Sequence, residues 1–332
     1  MVTNRLLLGI DGGGTHTRAL LAAPDGTILG RGRAPGCNYH NVGLDAALRH
    51  MAAAAAGACA AARCPVEDIH TAFIGTAGVK AAEDIAALHD GNRRAGALPA
   101  PQVVFANDSE NAHAAGLGGR PGVALIAGTG SIALGRDEHG RSFLCGGWGW
   151  LVDDGASGCW LGLQALHAVA RAVDGRGPAT HLREPLLAAL GLKDPQTILR
   201  RIYTVDLGAS DFALLAPLVF AAARQCDAVA LEILRRGAER AAELAAGAQR
   251  GAALPCDCEV VLLGGVAQSG APYQPMIEAA IRRHLPAARL VAPVLPAEFG
   301  ALVRAREIAG AKPDAAFMAQ LQASSATASS HA

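Results

Sequence analysis

Two short segments of the sequence carry the residue types that bind phosphate groups. Each combines glycine with hydroxyl side chains after an apolar run, and we expect their residues to bind a nucleotide's phosphates: Gly12, Gly13, Gly14 and Thr15; Gly128, Thr129, Gly130 and Ser131. Glycine lets backbone N–H groups approach an anion closely. An ordinary hairpin turn is the alternative for either segment alone. Asp11, a carboxylate beside the first segment, is placed to hold Mg²⁺ and its waters.

A third candidate is the carboxylate of Asp108, which follows the apolar run 103–106 and precedes a predicted helix. At the carboxyl end of a strand, it would project into the crevice where open α/β sheets bind ligands. There it could accept the proton of a hydroxyl that attacks a γ-phosphate. The alternative is a helix N-cap, which Asn107, Asp108 or Ser109 could each provide.

Two further segments contain residue types that suit binding of a carbohydrate and of a nucleoside. Residues 146–158 mix glycines and tryptophans with the carboxylates of Asp153 and Asp154, which suit a pyranose ring and its hydroxyls. The alternative interpretation of residues 146–158 is a structural loop with packed tryptophans and a solvated carboxylate at the start of a helix. That interpretation fits Asp153 more easily than Asp154. The apolar run 259–263 ends in Gly264 and Gly265, where adenine or ribose could lie against the backbone.

The apolar patterns around these segments predict an α/β protein of two domains. A pattern of three strands joined by tight turns occurs at 5–34 and again at 122–145, and strands alternate with helices after the first. We expect an N-terminal domain at 1–117, a second domain at 118–296, and a closing helix at 297–310 that returns to the first. Residues 311–332, rich in Ala, Ser and Gln, are predicted to be a flexible tail.

The composition of the chain limits the classes of partner that we expect it to bind. The 332 residues are 51% hydrophobic and carry zero net charge, with no basic run of the kind that binds nucleic acid or a membrane surface. No stretch has the length and apolarity of a membrane span. The eight cysteines lack a disulfide or zinc spacing, so we expect a cytoplasmic protein. Its partners would be small molecules, and a homodimer is the default assembly.

Taken in order, these segments resemble the BadF/BadG/BcrA/BcrD-type ATPase family of the sugar kinase and actin superfamily, most closely its N-acetylglucosamine kinase and bacterial glucosamine kinase members. The resemblance implies two actin-like (ribonuclease H-like) domains with a nucleotide cleft between them. It also implies that ATP and Mg²⁺ are used to phosphorylate the C6 hydroxyl of N-acetylglucosamine, with Asp108 as the base. The adenosine contacts would be Gly264, Gly265 and Ala267. The sugar contacts would be Asn38, Gly78, Asn107, Asp108, Gly147, Trp148, Gly149 and Asp154.

One departure from the family pattern leaves the acceptor open. Relatives commonly read Gly-Asp-Glu-Gly-Ser where this chain has Asp-Asp-Gly-Ala-Ser at 153–157. Free glucosamine therefore competes with the N-acetylated sugar.

Two other classes of function are alternatives. One is an ATPase that activates an acyl-CoA dehydratase or reductase, although the second phosphate segment has no cysteine and Cys145 and Cys159 lack a cluster-like spacing. The other is a non-catalytic sugar sensor. No helix-turn-helix segment precedes Arg5, which argues against a DNA-binding version of that sensor.

Overall fold

The computed structural model describes residues 5–329, with side chains to 325, and the chain forms two compact units. The first unit runs to Arg120 and resumes at Ala292, and the second comprises Pro121–Val291. Residues 118–120 and 292–296, which the sequence assigned to the second domain, therefore belong to the first unit. The physical reason is that the N–H groups of Val294 and Leu295 donate to the carbonyls of Gly116 and Ala115 at 3.1 Å each.

The first unit is built on a five-stranded sheet with the order β3-β2-β1-β4-β5. Strands β1, β2 and β3 form antiparallel pairs, whereas β4 and β5 run parallel to β1. The strands are β1 Leu6–Gly12, β2 His16–Ala22, β3 Ile28–Pro35, β4 Ile69–Thr76 and β5 Gln102–Asn107. The helices of this unit are α1 Tyr39–Val42, α2 Leu44–Ala62, α3 Ala82–Ala95, α4 Ser109–Leu117, α12 Ala297–Ile308 and α13 Ala315–Ser329, and a short 3₁₀ turn lies at Val66–Asp68.

Helix α4 carries site residues, and its position is fixed by a close helix–helix contact. Gly300 of α12 lies so near α4 that a Cβ atom there would be 1.8 Å from the carbonyl oxygen of Asn111. Only glycine permits that approach. The apolar face of α12, including Phe299 and Leu302, is buried against β1. Burial of large apolar side chains stabilises such a contact by roughly 1.5–3 kcal/mol each.

The second unit repeats the strand plan of the first, so the duplication predicted from the sequence is confirmed. Its sheet has the order β10-β9-β6-β7-β8, with β6, β7 and β8 antiparallel and β9 and β10 parallel to β6. The strands are β6 Gly122–Ala127, β7 Ser131–Arg136, β8 Ser142–Gly146, β9 Glu259–Leu263 and β10 Arg289–Val291. The helices are α5 Gly158–Val173, α6 Arg183–Ala189, α7 Ile198–Thr204, α8 Ala209–Ala213, α9 Ala216–Arg224, α10 Ala228–Gly251 and α11 Tyr273–His284, and a 3₁₀ turn lies at Pro195–Thr197.

Within residues 5–329, no single helix has both the length and the apolarity to cross a bilayer. The segments Ala209–Arg224 and Ala228–Gly251 meet both conditions only when they are taken together, and they are bent by 119°.

The C-terminal segment differs from the predicted flexible tail, because residues 315–329 form α13. Phe317 and Leu321, one helical turn apart, are buried. The Phe317 ring lies against Gly26 in the β2–β3 turn and 5.4 Å from the Arg306 guanidinium carbon. Two apolar anchors thus order a segment whose composition resembles that of a disordered tail. The last three residues of that prediction, 330–332, lie outside the described part of the chain.

We expect Phe317→Ala to destabilise the protein by about 3 kcal/mol, the usual cost of removing a buried aromatic side chain. Urea unfolding followed by circular dichroism measures this loss. Gln322→Ala is the matched control, because Gln322 is exposed on the same helix. Equal unfolding midpoints for the two variants would show that α13 does not pack as described.

Candidate active site

The first phosphate segment is the turn between β1 and β2, and the backbone beneath it fixes its shape. The Gly13 N–H donates to the His16 carbonyl at 2.9 Å, and the Ala77 N–H donates to the Gly12 carbonyl at 2.7 Å. A Cβ atom on Gly12 would be 2.4 Å from the Cys37 sulfur, so this position has no room for a side chain. Gly14 and Thr15 are exposed. The turn therefore leaves Gly14 and Thr15 open to a ligand, whereas the Gly13 N–H is already paired within the turn.

Asp11 lies at the end of β1, where one buried amide holds its carboxylate. Its Oδ1 accepts a hydrogen bond from Asn111 Nδ2 at 3.1 Å, and its Oδ2 lies 3.8 Å from a guanidinium nitrogen of Arg18. Burial raises the pKa of Asp11, while Asn111 and Arg18 oppose that rise. The carboxylate is therefore half-buried and oriented, which suits a group that holds a cation.

Asp108 stands directly after β5 at the N-terminus of α4. Its side chain makes no capping hydrogen bond; instead, the Asn107 side chain accepts the Ser109 N–H at 2.9 Å. Burial, together with the negative charge of Asp11, raises the pKa of Asp108 from its ordinary value of 3.8 to about 6. A half-buried carboxylate with a pKa near neutrality has the properties of a general base.

Asn38 and Gly78, both predicted to contact the sugar, lie against each other in the first unit. A Cβ atom on Gly78 would be 2.4 Å from Asn38 Oδ1, and Gly78 has a φ of +86°. Asn38 also caps α1 by accepting the His40 N–H at 3.1 Å. The neighbouring Cys37 thiol has its pKa raised by burial and, to a smaller extent, by Asp11 and Asp108. The structure thus brings Asn38, Gly78, the first phosphate turn and both carboxylates into one region.

In the second unit, the turn between β6 and β7 holds the second phosphate segment. The Gly128 N–H donates to the Gly130 carbonyl at 2.9 Å, and the Gly128 carbonyl accepts the Gly158 N–H at 2.8 Å. The Ser131 hydroxyl donates to the Gly155 carbonyl at 2.7 Å. The hydroxyl predicted to bind phosphate is therefore engaged with the loop that follows β8, whereas Thr129 is exposed.

Asp154 belongs to this second phosphate turn more closely than the sequence suggested. Its side chain accepts the Ser131 N–H at 3.2 Å, and a Cβ atom on Gly130 would lie 2.9 Å from its Oδ2. Asp154 is 7% exposed and has a φ of +61°, so its carboxylate is directed inward. This geometry favours a role in bracing the phosphate turn over the direct sugar contact predicted from the sequence.

Trp148 and Gly149, in contrast, are exposed, and a pocket of about 540 Å³ lies beside them in the second unit. The pocket is bordered by the tryptophans Trp148 and Trp160 and by the charged residues Asp153, Arg240 and Glu243. Gly146 also lines the pocket, and the next residue, Gly147, has a φ of +66°. Aromatic faces beside carboxylates and a guanidinium are surroundings that suit a sugar. Arg240 and Glu243 were not predicted because they lie on α10, which is distant in sequence, and Trp160 was not because it lies just beyond the segment, in the first turn of α5.

The predicted adenosine segment lies against the second phosphate turn. The Val266 and Ala267 N–H groups donate to the Ala127 carbonyl at 3.0 and 3.2 Å. Gly264 has a φ of +89°, and a Cβ atom there would be 2.4 Å from the same carbonyl oxygen. Gly265 is exposed. The end of β9 and the end of β6 are thereby joined at the edge of the sheet that carries Gly128.

The site residues therefore form two groups, one in each unit. The first contains the turn 12–15, Asp11, Asn38, Gly78, Asn107 and Asp108, and the second contains 128–131, 147–149, Asp154 and 264–267. Sequence reasoning missed Asn111, which contacts Asp11. Its only sequence signal is its place three residues after Asp108, about one helical turn along α4.

The BadF/BadG/BcrA/BcrD ATPase family matches residues 8–305 of the chain. The chain belongs to this family. It is 30% identical over 234 residues to an N-acetylmuramic acid/N-acetylglucosamine kinase of Clostridium acetobutylicum, covering 70% of the chain and 76% of the relative. It is 30% identical over 244 residues to an N-acetyl-D-glucosamine kinase of Dictyostelium discoideum, with the same coverage.

Among solved structures, a provisionally assigned N-acetylglucosamine kinase from Chromobacterium violaceum superposes with a TM-score of 0.73 and 29% identity. The match covers 90% of this chain and 98% of the other. The actin-like fold predicted from the sequence is confirmed, and so is the class of enzyme, an ATP-dependent phosphotransferase.

The adjacent carboxylates Asp153 and Asp154 provide a matched pair of variants. We expect Asp154→Ala to raise the KM for ATP, because the Ser131 N–H loses its charged partner and the turn proposed to contact the phosphates loses its shape. Asp153→Ala should leave the KM for ATP unchanged, since Asp153 lines the pocket. Steady-state kinetics at varied ATP measures both. An Asp154→Ala variant that changes only the acceptor KM would contradict the bracing role and support a direct contact of Asp154 with the sugar.

The raised pKa of Asp108 predicts how stability depends on pH. Because the folded pKa of Asp108 is raised, the contribution of this carboxyl to the free energy of unfolding is fully present below pH 3.8. It is lost as pH rises through about 6. Asp108→Asn, which cannot ionise, should therefore be more stable than the native protein by roughly 3 kcal/mol at about pH 8. This gain should shrink as pH falls from 6 towards 3.8. Thermal unfolding at several pH values measures it, and a gain that does not change with pH would contradict the raised pKa.

Proposed function

We propose that the chain is an amino-sugar kinase that transfers the γ-phosphate of ATP to the C6 hydroxyl of N-acetylglucosamine. The observation that carries this proposal is the pair of half-buried carboxylates, Asp11 and Asp108, beside a glycine turn in the first unit. One carboxylate is oriented to hold a cation, and the other has a pKa near neutrality. The names of the two relatives given above support an N-acetylated amino sugar as the acceptor.

In this proposal, Asp108 accepts the C6 hydroxyl proton as the oxygen attacks the γ-phosphorus. The bond from that phosphorus to the β-phosphate oxygen breaks, and ADP leaves. A carboxyl with a pKa of about 6 is mostly ionised at neutral pH, so it is ready to accept a proton. Positioning and charge stabilisation supply most of the catalysis in phosphoryl transfer, and the remaining residues serve these two purposes.

We assign the ATP contacts to the residues that the sequence predicted for them. We assign the phosphates to Gly12, Gly13, Gly14, Thr15, Gly128, Thr129, Gly130 and Ser131. We assign the adenosine to Gly264, Gly265 and Ala267. The exposure of Gly14, Thr15, Thr129 and Gly265 supports these assignments, because backbone and hydroxyl groups there are open to a ligand.

The residues present fit a Mg²⁺ ion that is held mainly by the nucleotide. Among residues 5–329, no group of three or more His, Cys, Asp or Glu side chains could hold a metal ion. Asp11, an oriented carboxylate beside the phosphate turn, fits the one or two protein ligands that Mg²⁺ uses when phosphates and waters supply the rest. The ion would neutralise the charge that develops on the phosphates.

We assign the acceptor to residues that are partly or fully exposed, namely Asn38, Gly78, Asn107, Asp108, Gly147, Trp148 and Gly149. The Trp148 side chain is 66% exposed, which leaves its face available to the apolar side of a pyranose.

We also propose a homodimer that works in the cytoplasm. Four of the large apolar side chains that the second unit exposes lie between residues 199 and 214, namely Leu199, Tyr203, Val205 and Leu214, which are exposed by 42–81%. All eight cysteines are free thiols, which suits a reducing compartment. Light scattering after size-exclusion chromatography measures the assembly, and a monomer at micromolar concentration would contradict the dimer.

The experiment that tests the function is ADP release with ATP and Mg²⁺ against a panel of acceptors. The panel contains N-acetylglucosamine, glucosamine, N-acetylmannosamine, N-acetylmuramic acid, glucose and no acceptor. We expect N-acetylglucosamine to raise turnover well above the rate without acceptor, and NMR of the product to show phosphate at C6. Equal hydrolysis with every acceptor would overturn the kinase proposal, whereas a preference for glucosamine would change only the acceptor.

We expect Asp108→Asn to lower kcat by at least about 10²-fold while ATP affinity stays close to native, because a positioned base contributes that much to turnover. Asp90→Asn is the surface control, since Asp90 lies on α3 and pairs with Arg93. Turnover and ATP binding are measured separately, by ADP release and by calorimetry. An Asp108→Asn variant that keeps most of its turnover would remove Asp108 from the base role.

A further inference from the structure

Asn111 is a fully buried amide on α4 whose side chain is surrounded by backbone and one carboxylate. Its Nδ2 atom lies 3.1 Å from Asp11 Oδ1, 3.2 Å from the Ile10 carbonyl and 3.4 Å from the Gly75 carbonyl. Two amide hydrogens thus face three acceptors. The only charged one among them is Asp11.

The amide oxygen of Asn111 shows why an asparagine stands there. Among the residues that the structure describes, this buried oxygen has no hydrogen-bond partner. An unpaired buried acceptor is costly, and an apolar side chain of similar size would avoid that cost. Rotating the amide by about 180° would point its oxygen at the Asp11 carboxylate. The two oxygens would then repel each other. The residue is therefore explained by its NH₂ group, which donates to Asp11 and to two backbone carbonyls.

Two glycines hold Asn111 in this position. Gly75, the β4 residue paired in register with Asp11, would place a Cβ atom 2.4 Å from the Asn111 amide. On the other side, the close approach of Gly300 to the Asn111 carbonyl fixes the backbone. Since Asn111 and Asp108 lie on the same turn of α4, one rigid element supports both carboxylates.

We propose that Asn111 is a positioning residue that orients Asp11 for the cation bound with the nucleotide. This inference rests on the proposed function, in which Asp11 holds Mg²⁺. Partners behind a metal ligand fix its orientation, and their loss typically weakens metal affinity by roughly 10–100-fold. Without Asn111, the Asp11 carboxylate would lose the hydrogen bond to its Oδ1 and could rotate towards Arg18.

The test measures binding and needs no turnover. Calorimetry gives the affinity for ADP with and without Mg²⁺, and the ratio of the two is the contribution of the metal. We expect Asn111→Ala to lower this ratio by about tenfold or more. Affinity for metal-free ADP should stay unchanged, because Asn111 contacts no exposed phosphate-turn residue.

Three further variants make the outcome specific. Asn92→Ala is the matched control, since Asn92 is also a buried asparagine of the first unit but bonds to the backbone of Leu98. It should lose stability without changing the ratio. Gly75→Ala keeps both Asn111 and Asp11 in the sequence but displaces the Asn111 amide, so it should lower the ratio as Asn111→Ala does. It replaces Asn111→Ala in the test if that variant does not fold. Asp11→Asn should lower the ratio most.

The possible results separate the inference from the proposed function. If Asp11→Asn lowers the ratio but Asn111→Ala and Gly75→Ala keep it native, the positioning role is overturned and the metal role of Asp11 stands. If Asp11→Asn itself keeps the native ratio, Asp11 does not hold Mg²⁺, and both statements are overturned. Parallel losses in Asp11→Asn, Asn111→Ala and Gly75→Ala, with Asn92→Ala unchanged, support the inference.

Discussion

The first unit depends on keeping two carboxylates, Asp11 and Asp108, close together and half-buried. Like charges in such a site raise each other's pKa, and burial adds to the effect. The protein meets this constraint with unequal surroundings. Burial raises the pKa of both carboxyls. Asn111 and Arg18 oppose that rise at Asp11, whereas the charge of Asp11 adds to it at Asp108, whose pKa is raised to about 6. One carboxylate thereby suits a cation, and the other suits a transferred proton.

Close contacts elsewhere in the fold hold the candidate site residues in position. In both units, a glycine-containing turn joins two antiparallel strands, and a later segment hydrogen-bonds to it. Cys37 and Ala77 bond to the first turn, and Asp154 bonds to the second. The repeated strand plan thus provides two similar glycine turns from one chain. What differs between the units is the chemistry beside each turn, which is a pair of carboxylates in one and a tryptophan-lined pocket in the other.

The sequence predicted the elements well where the signal was local. The two glycine turns, the strand before Asp108 and the repeated strand plan all follow from apolar periodicity and turn residues within about ten positions. It could not predict contacts that depend on tertiary packing. Asn111 reaches Asp11 across one hundred residues, and α13 is ordered by two apolar anchors in a polar, Ala-rich segment. The inward direction of Asp154 is shown by its burial and its hydrogen bond from Ser131, which the residue type does not reveal.

The central claim is that a carboxylate with a pKa near neutrality is the base, and the pH dependence of kcat/KM tests it most directly. This parameter reports the ionisation of the free enzyme. Because Asp108 must be ionised to accept a proton, we predict that kcat/KM for the sugar is constant near neutral pH and falls on the acid side with an apparent pKa of about 6. A profile that stays flat down to about pH 4.5, the range of an ordinary aspartate, would contradict the account.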